Sequence, residues 1–142
     1  MKTARPLKRG PTQFLNVDLD IFSRVPLDGL VHAMSDKVFA LYVGGKGRNY
    51  EAHVELASSP TGITADRTIV AFTRLIKQLP PRHRRVWDQA QAREFNVGIE
   101  AGFKPPHAFE VRLKRRTIEA IAEVQATLVV TIYAADLEVT RG

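Results

Sequence analysis

The chain has 142 residues, 44% of them hydrophobic and 25% charged, which suits one folded domain and excludes disorder throughout. The absence of Cys excludes disulfide frameworks, thiol nucleophiles and thiolate metal sites together. The formal net charge of +6 is unevenly spread: residues 1–12 carry Lys2, Arg5, Lys8 and Arg9 with no acid, residues 13–73 carry five bases and seven acids, and residues 74–142 carry twelve and eight.

Residues 1–12, with Pro6, Gly10 and Pro11 among the bases, read as a flexible basic arm ahead of a single domain over 13–142. Residues 13–23 (QFLNVDLDIFS) alternate, with Leu15, Val17, Leu19 and Ile21 on one side and Asn16, Asp18 and Asp20 on the other, which predicts a half-buried strand. Pro26 opens a short helix through Leu30 and Met34. Strands follow at about 38–43 and 50–57, joined by GGKGRN, a hairpin loop rich in residues that tolerate positive φ. Ala52, Val54 and Leu56 face inward on the second of them, leaving Glu51, His53 and Glu55 outside.

A helix over 66–79 follows, with Asp66 as its N-cap and Ile69, Phe72, Ile76 and Leu79 on one face. Pro80 ends it and Pro81 starts another, whose Val86, Trp87 and Ala90 turn inward while Arg82, Arg84 and Arg85 turn out. The strand at 94–101 puts Phe95, Val97 and Ile99 inside and Asn96 and Glu100 outside. A Pro-rich break and an extended FEVRL piece lead to a helix carrying Ile118 and Ile121, and to a last strand at 127–134 whose Val130 and Ile132 join the core. Helices apolar on one stripe and strands apolar on one face predict an α+β fold: two layers, a mainly antiparallel sheet with helices on one face, a variant of the ferredoxin-like split βαβ arrangement.

The segments NVDLDI, AHVELASS, AFTRLIKQLPP, EFNVGIEAG and FEVRLKRRTIEAIAEVQATLVVTIYA resemble, in order and apolar spacing, small bacterial proteins of a domain-of-unknown-function type. Some of these stand near toxin immunity proteins, so the resemblance implies a binding role and carries no catalytic motif. The chain departs from their pattern at the last helix, which such proteins begin with Ser, Pro or Glu and this one with Lys114, Arg115 and Arg116.

Enzyme signatures are missing. GGKGR lacks the spacing of a phosphate loop and lies between strands, His32, His83 and His107 have no partner at metal-ligand spacing, and Ser23, Ser35, Ser58 and Ser59 have no GxSxG setting. No cofactor or metal is expected. The outward sheet face gathers Asp18, Asp20, Glu55 and Glu100, with Asp18 and Asp20 about 7 Å apart as two residues per pleat require. Such a face is either merely solvated, a surface for a protein partner, or an acid–base or metal site. It lacks the aromatic run of an RNA-recognition sheet and its carboxylates repel phosphate, so nucleic acid or another polyanion would use the basic arm and helices.

Lys114, Arg115 and Arg116 are a candidate anion site, because cations at a helix start are unfavourable there unless an anion offsets them. The alternative is a helix that begins later, with Thr117 as N-cap. Function is thus expected to be binding without covalent chemistry, to another protein first, to nucleic acid or another polyanion second, with an unrecognised hydrolase third. The first dozen residues lack the apolar core of a secretory signal and no run approaches a membrane span, which makes a cytoplasmic address the expectation.

Overall fold

The structure, a computed structural model, describes residues 10–135. Five strands form one sheet: β1 (Gln13–Ser23), β2 (Val38–Lys46), β3 (Asn49–Leu56), β4 (Ala92–Glu100) and β5 (Thr127–Tyr133). Four helices connect them: α1 (Asp28–Ala33), α2 (Ala65–Lys77), α3 (Pro81–Gln89) and α4 (Arg115–Glu123). The strand order is β2-β3-β1-β4-β5, with β1 antiparallel to both β3 and β4, β2 antiparallel to β3, and β5 parallel to β4. The first four strands therefore have the ferredoxin-like order, and α4 with β5 adds a parallel crossover at one edge.

Period-2 alternation on β1, β3 and β4 builds the core. Val17, Leu19, Ile21, Val54, Phe95 and Val97 are at most 1% exposed and face Ile69, Phe72 and Ile76 of α2, Trp87 of α3 and Ile121 of α4. Phe72 packs on Phe95 with ring centroids 5.9 Å apart. The indole Nε1 of Trp87 donates to the Val124 carbonyl at 2.9 Å, so the ring is buried without an orphaned donor. Arg93 donates to the carbonyls of Trp87, Asp88 and Ala90 at the end of α3 and to that of Gln125 just beyond α4, a cation at the C-terminal ends of two helices.

Four sequence expectations change. Leu15 is exposed, because a β-bulge between Phe14 and Asn16 makes it the extra residue and Phe14 takes the inward position. Val130 and Ile132 are 53% and 65% exposed, because β5 is an edge strand that the helix layer does not cover. Ile118 on α4 is exposed as well. The cap of α2 is Thr64, whose side chain accepts from the Arg67 N–H, and not Asp66.

Residues 1–9 of the expected arm lie outside the described residues. Residues 10–12 belong to the domain: the N–H groups of Phe103 and Lys104 donate to the Gly10 carbonyl, and that of Gly102 to Thr12 Oγ1 at 3.0 Å. No helix among the described residues is long and apolar enough to cross a membrane.

Candidate functional site

The side of the sheet away from the helices is open, and the strand register sets its pattern. Asp20 lies between His53 of β3 and Glu94 of β4, Asp18 is opposite Asn96, Asn16 is opposite Gly98, and Tyr42 of β2 is opposite His53. Residues paired across a ladder share a face, so the alternation that buries Leu19 and Val54 places these polar groups together outside.

His53 is the centre. Its Nδ1 is 2.7 Å from Asp20 Oδ1 and its Nε2 is 3.6 Å from Glu51 Oε1. Phe22 meets the imidazole edge-on at 5.7 Å and Tyr42 lies at 6.4 Å, so aromatic rings flank it on β1 and β2. A second group surrounds Asn16, whose Nδ2 donates to Asp18 Oδ1 at 3.0 Å and to Glu55 Oε2 at 3.5 Å. Gly98 makes room for that amide, since a Cβ there would stand 2.9 Å from Asn16 Oδ1. Thr131 Oγ1 donates to Asn96 Oδ1 at 2.8 Å and extends the polar surface to β5.

The electrostatics of the face are one-sided. Apart from Lys46 at the hairpin end, no Lys or Arg occupies an outward position on the strands. Burial pushes the Asp18 carboxyl above its ordinary range, and the charges of Asp20 and Glu55 push it further, opposed by His53. Burial acts against a charged His53, but its bond to Asp20 and the charges of Asp20 and Glu51 outweigh that and raise its titration above the usual imidazole value.

Both groups hold their proton more tightly folded than unfolded. The His53 contribution to stability is accordingly full below its unfolded value near 6.5 and is lost as pH rises through the higher folded value. Asp18 acts in the same direction in the range just above 3.8, where ionising the half-buried carboxyl destabilises the fold. We expect the imidazole protons of His53, followed by NMR, to titrate above the free-histidine midpoint, and Asp20→Asn to bring the midpoint down. An unmoved midpoint in that variant would show that Asp20 does not hold the proton.

The structure brings together Asp18, Asp20 and Glu55 of the expected partner surface. Glu100 shares their face but sits at its rim, opposite Gln13, whose Nε2 donates to Glu100 Oε1 at 3.3 Å. Glu94, which sequence reading did not single out, stands directly across from Asp20. Only the register reveals it, because a lone Glu at the start of a strand carries no signal of its own. A concavity of about 560 Å³ adjoins this face beside His53, lined by Phe22, Tyr42, Lys46 and Glu51 among others. Among the described residues no group of three or more His, Asp or Glu converges as a metal site.

The anion candidate at Lys114, Arg115 and Arg116 does fall at a helix start: α4 begins at Arg115 with Lys114 as N-cap. Thr117 is not the cap but lies in the first turn, 2% exposed, with its N–H donating to the Lys114 carbonyl. The chain supplies an anion there itself. Asp66 Oδ1 accepts from the Lys114 N–H at 2.8 Å, and Arg115 is paired with Glu119 one turn on. A groove of about 840 Å³ runs past this point between Phe14, Ile63, Phe109 and Val111, and its charges, Asp66, Arg67, Glu110, Arg112 and Lys114, are of both signs. Its mixed signs contrast with the one-sided charge of the open sheet face.

Comparison with protein-family models, curated proteins and solved structures returns no match to this chain.

Proposed function

We propose that this is a binding protein whose open sheet face docks a positively charged segment of a protein partner. The observation that carries the reading is the excess of carboxylates, Asp18, Asp20, Glu51, Glu55 and Glu94, held around one histidine on a rigid sheet. Burial raises the Asp18 carboxyl and the charges of Asp20 and Glu55 raise it further, and an arriving Lys or Arg would relieve that repulsion. Strands hold these groups at set spacings, so a partner with wrongly placed or like charges leaves carboxylates unpaired. A hydrolytic reading gains less support, because the second nitrogen of His53 faces the Glu51 carboxylate instead of a hydroxyl nucleophile.

The test uses hexa-arginine, hexa-glutamate and a short single-stranded oligonucleotide as probes, with backbone amide shifts recorded at low salt. Hexa-arginine is expected to perturb residues 16–20, 51–55 and 94–98. Asp18→Lys with Glu55→Lys should weaken its binding about tenfold or more, while Glu100→Lys, at the rim, should change it little. Unchanged binding by the double variant, or oligonucleotide shifts on α3 and α4 with none from hexa-arginine, would overturn the reading and move the function to polyanions.

A further inference from the structure

Among the described residues β5 is hydrogen-bonded to a neighbouring strand on one side only, which leaves a row of backbone groups at the sheet edge. The opposite edge strand, β2, carries devices that discourage pairing: a bulge between Ala40 and Tyr42, two consecutive glycines at 44 and 45, and a terminal Lys46. β5 carries none of them. It has no Pro, Gly or charge, it is rich in β-branched residues, and its register with β4 is unbroken from Thr127 to Tyr133.

Its side chains are as uncovered as its backbone. Leu128, Val130 and Ile132 are opposite Phe95, Val97 and Ile99, so they point to the helix side of the sheet. The three on β4 are buried, whereas the three on β5 are 40%, 53% and 65% exposed. Ile118 of α4 is exposed on that same helix layer. The apolar layer of the protein thus continues past the last helix onto an open edge.

The composition of the strand indicates what covers it. In a chain that is 25% charged, residues 125–135 (QATLVVTIYAA) contain no charge at all. A foreign strand would gain no electrostatic selectivity from such a surface, but a second copy meets it without opposing like charges. An antiparallel pairing about a two-fold axis through Val130 sets Val130 beside its own copy and Leu128 beside Ile132 in both directions, apolar against apolar. We propose that two copies of this chain pair antiparallel along β5, merging their sheets into one.

The pairing is closed, since it consumes the unprotected edge of each copy and leaves the bulged β2 strands outermost. Its axis is perpendicular to the sheet, so both helix layers lie on one side and both acidic faces on the other. It stands independently of what those faces bind.

The full chain should sediment at about twice its 15.9 kDa mass. Val130→Lys, a change at a half-exposed position, should yield a monomer with an unchanged circular dichroism spectrum. Because the chain has no Cys, Val130→Cys gives a clean second readout: mild oxidation should link two copies, whereas Phe39→Cys on the other edge should not crosslink. A monomer at every concentration would overturn the proposal, as would a dimer that Val130→Lys leaves intact and Val130→Cys does not crosslink. Neither result depends on hexa-arginine binding, so the two readings fail separately.

Discussion

Val97→Asp is expected to leave the chain unfolded, whereas Asn96→Asp, one residue away, is expected to fold with a small loss. Val97 is 1% exposed, between Val17 of β1 and Val130 of β5, under the helix layer. A carboxylate there has no cationic partner, and burying it costs at least several kcal/mol, against a total stability of about 5–15 kcal/mol for a small domain. Asn96 points the other way, and an aspartate in its place still accepts from Thr131 Oγ1. The price is one more negative charge opposite Asp18, about 1 kcal/mol or less. Urea denaturation of both variants checks this, and equal losses would mean that the strand faces are reversed.

The next largest effect is expected at Trp87. It is fully buried on α3, and its indole donates to the Val124 carbonyl at the end of α4. Trp87→Ala removes the ring and should cost about 3–5 kcal/mol. Trp87→Phe keeps an aromatic ring but no donor, so it should cost less, about 1–3 kcal/mol, part of it from the carbonyl left without its partner. Denaturant midpoints of the pair separate ring volume from hydrogen bond. A Phe variant as stable as the natural chain would show that the Val124 carbonyl does not need the indole.

The acidic face was half legible. Asp18 and Asp20 share a face because they are two apart on an alternating strand, and the same holds for Glu51, His53 and Glu55. That His53 bonds to Asp20, 33 residues away, and that Glu94 stands across from Asp20, depend on register between strands distant in sequence. The single-residue bulge at Leu15 shows the limit of periodicity, since simple alternation counts straight through it and assigns the wrong face. The start of α4 shows another: three cations argue against a helix N-terminus locally, and the carboxylate that offsets them comes from Asp66 in α2.

By itself the sequence determined the α+β class, the hairpin, the inward set on β3 and β4 and, Leu15 apart, on β1, and the sign of the charge on the outward face. These follow from repeats of two and about 3.6 residues and from the Gly and Pro that interrupt them, all of which act within a few residues. Tertiary structure alone decided which strands are edges, how far the helix layer reaches, and which polar groups meet. Val130 and Ile132 of the 127–134 strand read as core residues because apolar composition reports a tendency to leave water, not the presence of a neighbour to provide cover. Whether Val130 is buried depends on where the helix layer lies against the sheet, and on the edge strand β5 that layer leaves it half exposed.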